Sequence, residues 1–103
     1  MTERRRLPNW RRSETFSFRW ASMNFTATIA CFDTCELAEL FLSNGRADSN
    51  ADTAAREAAI AASLALQFGC PLEVLRSALL RDSHGRASGV LSTALDYISE
   101  HMS

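Results

Sequence analysis

Between Glu39 and Leu80 the hydrophobic period of the chain changes from two to about 3.6, and this switch constrains the fold more than any other feature. Upstream of it, Thr15 to Trp20 alternates, with Phe16, Phe18 and Trp20 on one face and Ser17 and Arg19 on the other. A second alternating run starts at Asn24, with Phe25, Ala27, Ile29 and Cys31 facing one way and Thr26, Thr28 and Ala30 the other. Both runs are rich in β-branched and aromatic residues, which suit a half-buried pleated surface. Asp33-Thr34 breaks the second run, and Glu36 to Leu42 resumes it, so these two segments read as a hairpin. Three antiparallel strands result, and Asn44-Gly45 supplies the turn residues that end the last.

Downstream, Ser49 followed three residues later by Asp52 is a capping-box signature, with Asp52 also placed where the helix dipole favours an anion. A helix of roughly twenty residues, some 30 Å long, is expected from there. Asp52, Arg56, Ser63 and Gln67 form a polar stripe that reads as its solvent face, while Ala54, Ala58, Ala61, Ala62, Ala65 and Phe68 read as the face packed on the sheet. On this reading Ala61→Glu places an unpaired charge in the interface. Gly69 closes the helix and Pro71 opens the next, which runs to about Leu80 and buries Leu72, Leu75, Ala78 and Leu79. A polar loop from Asp82 to Gly89 leads to a third helix with Leu91, Ala94, Leu95 and Ile98 on one face. The order β-β-β-α-α-α, with strands and helices segregated, implies an α+β fold in which a three-stranded antiparallel sheet carries the long first helix.

The chain of 103 residues has room for one core but not for a two-domain catalytic cleft. Hydrophobic residues at 47% against 22% charged exclude a wholly disordered chain. No apolar run reaches the roughly eighteen residues of a membrane span, and the arginine-rich start lacks the apolar region of a secretory signal, so the cytoplasm is the expected compartment and no membrane partner is expected. Cys31, Cys35 and Cys70 are an odd set, read as buried free thiols in a reducing compartment.

The run Glu39-Leu40-Phe41-Leu42-Ser43-Asn44-Gly45-Arg46, the small-residue helix ending Ser63-Leu64-Ala65-Leu66-Gln67-Phe68-Gly69, then Pro71-Leu72-Glu73-Val74-Leu75 and a closing Leu79-Leu80, together resemble the TSCPD domain. That domain is found near the C-terminus of vitamin B12-dependent ribonucleotide reductases and in small stand-alone proteins. The resemblance covers most of residues 24 to 98 and implies an accessory module without reductase chemistry of its own, since such chemistry needs a large barrel with a radical cysteine and a cobalamin site. The family is named for a Thr-Ser-Cys-Pro-Asp run near its end. Here the corresponding loop, Asp82-Ser83-His84-Gly85-Arg86-Ala87-Ser88-Gly89, has neither cysteine nor proline, so no thiol redox or metal role carries over.

Candidate sites are few. Cys31 and Cys35 at a hairpin knuckle, joined by Cys70 and His84, have the chemistry for zinc, but structural sites pair short spacings and Cys70 and His84 are solitary, so no metal and no cofactor is assigned. Cys70 at a helix start is a candidate reactive thiol, an effect that Glu73 in the same turn opposes. Asp82, His84 and Arg86 form the tight grouping of acid, imidazole and guanidinium in the chain, fit for an anion or a partner; without a nucleophile or phosphate cradle beside it, no catalytic residue is assigned. Residues 1–12 carry a local charge of +4 and residues 13–103 one of −5. Every basic residue is arginine, which either bidentate phosphate recognition or genomic composition would produce. Arg4, Arg5, Arg6, Arg11 and Arg12 around Trp10 are candidate nucleic-acid contacts, the alternative being a solvated disordered tail ahead of a single domain over 13–103. Two functions follow. One is a non-catalytic interaction module that binds a protein partner or self-associates through an exposed sheet face bearing Phe and Trp; the other is a nucleic-acid-binding or regulatory protein acting through the arginines.

Overall fold

Alternation over Ser13–Trp20 and Met23–Cys31 gives strands β1 and β2, which pair antiparallel with Phe18 opposite Phe25 and Trp20 opposite Met23. The computed structural model describes residues 3–102; Met1, Thr2 and Ser103, assigned above to the tail and to the end of the domain, lie outside the described residues. Only Ala21 and Ser22 separate the two strands, both at positive φ (50° and 63°), the geometry of a type I′ turn. β2 continues into β3, Leu37–Ser43, through Asp33-Thr34-Cys35, where Cys35 N donates to Phe32 O (2.9 Å), Phe32 N donates to Glu36 O (2.8 Å) and Cys35 takes φ 70°. Ala30 pairs with Glu39 but Cys31 with Leu37, so Ala38 is an extra, bulged residue in β3. The sheet order is β1-β2-β3.

Helix α1, Asn50–Gln67, starts where predicted, with Ser49 Oγ accepting from Asp52 N at 3.1 Å. Its end is a Schellman motif: Gly69 N donates to Leu66 O (3.1 Å), Cys70 N donates to Ala65 O (2.9 Å), and Gly69 sits at φ 103°, where a side chain would be strained. Helix α2, Leu72–Ala78, and helix α3, Val90–Met102, complete the α+β order. The core lies between one face of the sheet (Phe18, Phe25, Ala27, Ile29, Leu37, Leu40, Leu42), α1 (Ala55, Ala59, Ala62, Leu66) and α3 (Ala94, Leu95, Ile98).

Four expectations need correction. The buried face of α1 is not the one drawn from the sequence: Ala54, Ala61 and Phe68 are exposed, Ala58 and Ala65 half-buried, and of that set Ala62 alone is buried. The helix is rotated so that Asp52, Ser63 and Gln67 face β3. β3 is an edge strand, and its outer N–H and C=O groups need partners once a helix covers them. Ser63 Oγ accepts from Leu40 N (3.0 Å) and donates to Leu40 O (3.1 Å), and Gln67 Nε2 donates to Ala38 O (3.1 Å). At the helix start Asp52 Oδ1 accepts from Ser43 Oγ and Asn44 N, both at 2.9 Å. The polar stripe therefore stands in for a fourth strand.

Second, α2 stops at Ala78, which is exposed, and Leu72, Leu75 and Leu79 are only half-buried, so this helix has no fully buried residue. Third, Phe18 is buried and Phe16 and Trp20 half-buried under the helix layer; the open sheet face instead carries Thr15, Ser17, Arg19, Asn24 and Thr26, with Phe41 (57% exposed) its large apolar side chain. Fourth, Cys35 is exposed rather than buried, and Cys31 and Cys70 are half-buried.

Candidate functional site

In the Asp82–Gly89 loop the Asp82 carboxylate is used to fold the loop. Asp82 Oδ1 accepts from Arg86 N (2.9 Å) and His84 N (2.8 Å), and Asp82 N donates to Arg86 O (2.8 Å). The Arg86 and His84 amides hold the Asp82 carboxyl below its usual range. Arg86 Nε stays 3.7 Å from Asp82 Oδ2, and His84 Nδ1 lies 3.5 Å from Ser83 Oγ. All three residues are exposed, on a turn pinned from outside by Trp20 Nε1 donating to Ser88 O (3.1 Å) and by Arg81 donating to Gly85 O (3.2 Å).

Beside this loop is a stronger ionic cluster that no spacing rule finds. Asp96 on α3 accepts a bidentate pair from Arg81 (2.7 and 2.9 Å) and a further bond from Arg76 Nε (3.0 Å); Arg76 also reaches Glu73 (2.7 Å) and Ser99 Oγ (3.0 Å). The Arg81 guanidinium, then Arg76, lowers the Asp96 carboxyl pKa. The Glu73-Arg76 spacing of three on one helix was readable; the meeting with Asp96 depends on how α2 folds back on α3. The cluster ties α2 to α3 alongside Leu72 and Leu75, which are half-buried against the core.

The arginines of residues 4–12 do not form one basic face. Arg4 Nε donates to Gln67 Oε1 (2.6 Å) and Arg5 N to Gln67 O (2.7 Å). Arg5 lays its guanidinium 3.7 Å above the Phe32 ring and 3.5 Å from Glu36. Arg11 pairs with Glu39 at 2.7 Å. Trp10 (92% exposed), Arg6 and Arg12 point outward. Three of the guanidinium groups offered for phosphate are thus spoken for by the body of the protein.

The thiols stay separate in role. Burial pushes the Cys31 thiol up, with Cys35 and Glu14 adding to the effect, and Cys70 Sγ lies 3.7 Å from Pro71 O. Among the described residues no group of three or more His, Cys, Asp or Glu side chains could hold a metal ion, and no helix is long and apolar enough to cross a membrane.

What the structure does leave open is the β1 edge. A two-residue hairpin closes on a hydrogen-bonded pair, here Trp20 and Met23, so Glu14, Phe16, Phe18 and Trp20 turn their backbone groups toward β2 and Ser13, Thr15, Ser17 and Arg19 turn theirs outward. Among the described residues nothing bonds to those outward groups. Under the edge runs a groove of about 610 Å³, lined by Phe16, Ile29, Tyr97 and Ile98 with Glu14 and His101 at its rim. Tyr97 is half-exposed with its ring centroid 6.2 Å from that of Phe16 and 5.9 Å from that of Phe18, and His101 Nε2 lies 3.4 Å from Glu14 Oε2. Compared with protein-family models, curated proteins and solved structures, the chain gives no match in any of the three.

Proposed function

We propose that this protein is a non-catalytic interaction module, related to the TSCPD accessory domain that its sequence resembles, which docks a protein partner along the β1 edge. The observation that carries the reading is the asymmetry of the sheet: α1 covers the β3 edge and bonds to Leu40 and Ala38 through Ser63 and Gln67, whereas among the described residues nothing covers or bonds to the outward backbone groups of β1, which lie over an aromatic groove. Strand addition uses such an edge for affinity and the adjoining pocket for selectivity. The polar groups that would otherwise suggest chemistry are engaged elsewhere: Asp82 folds its loop, Asp96 docks α2, and Gln67 and Glu39 hold Arg4 and Arg11. Free thiols at Cys31, Cys35 and Cys70 suit work in the reducing cytoplasm.

A photo-crosslinking residue at Thr15, on the outward row, should capture a partner, while the same residue at Thr53 on the exposed side of α1 should not. Equal labelling from both positions, or none from Thr15, defeats the proposal. The nucleic-acid alternative is checked by fluorescence anisotropy with a labelled oligonucleotide at low salt; binding that falls steeply with added salt would favour the arginines over the strand edge.

A further inference from the structure

We propose that the partner at the β1 edge is β1 of a second copy, added antiparallel about a two-fold axis normal to the sheet, so that two sheets of three strands run on as one of six. The proposal rests on the reading of β1 as the docking edge and adds the identity and register of the occupant.

Backbone geometry fixes most of the arrangement. With the axis normal to the sheet, paired residues share a face, so an odd-numbered residue meets an odd-numbered one. The outward groups belong to Ser13, Thr15, Ser17 and Arg19, so every such register sets outward groups against outward groups. The register centred on Phe16 uses all of them: Ser13 pairs with Arg19 and Thr15 with Ser17, in both directions, for about eight backbone hydrogen bonds. It sets Phe16 of each copy against its counterpart, in a close non-hydrogen-bonded pair, and brings the two grooves with their half-exposed Tyr97 rings together at the axis. Glu14 falls opposite Phe18 and Arg19 opposite Ser13, so no like charges are directly opposed.

The strand carries little of the usual protection against this pairing, its two charges being Glu14 and Arg19, which this register sets opposite Phe18 and Ser13. Its eight residues, Ser-Glu-Thr-Phe-Ser-Phe-Arg-Trp, contain no proline, no lysine and no bulge. A foreign strand would need to match this pattern, whereas a second copy matches it by symmetry. An eight-residue edge is about 26 Å long at roughly 3.3 Å per residue, and with a helix layer beneath it the strip offers on the order of 500 Å². That is at the small end for specific complexes, which bury about 800 Å² per partner, so a dimer that dissociates in the micromolar range is expected.

Analytical ultracentrifugation of the full chain across sub-micromolar to several hundred micromolar concentrations should show monomer passing to dimer. Amide exchange at Thr15, Ser17 and Arg19 should slow as the dimer fills. Ser17→Pro removes an outward N–H that β2 does not use, so the variant should remain monomeric at every concentration with unchanged circular dichroism. Should that variant fail to fold, the exchange pattern of the unaltered chain decides alone. A chain that stays monomeric throughout overturns the dimer; if the Thr15 crosslinker still captures another protein, the docking edge stands and only its occupant is wrong. A dimer whose protection maps to the outer face of α1, at Ile60, Leu64 and Phe68, overturns the dimer through β1 as well.

Discussion

Replacing Ser63 with alanine tests the rotation of α1 on which the architecture depends. The Ser63 hydroxyl is the partner of both Leu40 N and Leu40 O, and Leu40 is 0% exposed, so no water replaces it. Losing a partner to a buried backbone group costs about 1–3 kcal/mol. Alanine is the better helix former by a few tenths of a kcal/mol, which leaves a net loss of about 1–2 kcal/mol. For a domain of this size that is a fall of roughly 5–10 °C in Tm. Thermal unfolding by far-ultraviolet circular dichroism, repeated with urea to give the change at constant temperature, measures it. The control is Ala61→Glu. Ala61 is exposed, so this change should stay within about 0.5 kcal/mol of the parent, although the sequence alone puts it among the most damaging substitutions. If Ser63→Ala leaves Tm unmoved while Ala61→Glu unfolds the chain, the helix lies on its other face and the account of the β3 edge is wrong.

Further predictions concern the turns, the acid response and the docking of α2. Ala21 and Ser22 both hold left-handed backbone, so the Ala21→Asn, Ser22→Gly double variant should raise stability by about 1–2 kcal/mol in urea titration. The Asp52 carboxyl is held low by the Asn44 amide and then the Ser43 hydroxyl, as Asp82 and Asp96 are held low by their own partners. Each folded-state pKa lies below the unfolded value near 3.9, so these contributions should be complete above about pH 5 and lost as pH falls through the folded values. Asp52→Asn keeps the acceptor oxygen and should flatten that acid limb, which urea midpoints between pH 2 and 6 would reveal. Asp96→Asn loosens the bonds from Arg81 and Arg76 and should cost about 1 kcal/mol globally; the sharper sign is faster amide exchange across residues 72–78 than across α1.

Much of the fold was legible because local signals and the final structure agree. The period-two runs became β1, β2 and β3, Ser49 caps α1, and Gly69 ends it as its freedom at positive φ allows. The face of α1 was not legible, for a physical reason. A stripe of Asp52, Ser63 and Gln67 looks the same in sequence whether it meets water or the unpaired backbone of an edge strand, and only the position of β3 separates the two. The first turn was hidden because Ala-Ser is an unusual occupant of a type I′ turn. In the candidate loop the use of Asp82 was not legible, since the amides that claim its carboxylate carry no mark in the sequence. The open edge of β1 depends on what the other elements fail to cover, and no single segment of the chain encodes that.

The unequal edges of the sheet also set how far association can proceed. A sheet with two free edges is a monomer unit for open-ended growth, each addition exposing another receptive strand. Here α1 covers one edge, so the β1 pairing proposed above would leave a covered edge at both ends and growth would terminate. The cover on β3 is α1 itself, held by Ala55, Ala59, Ala62 and Leu66 as well as by Ser63 and Gln67, so the limit on growth is built into the packing of the helix.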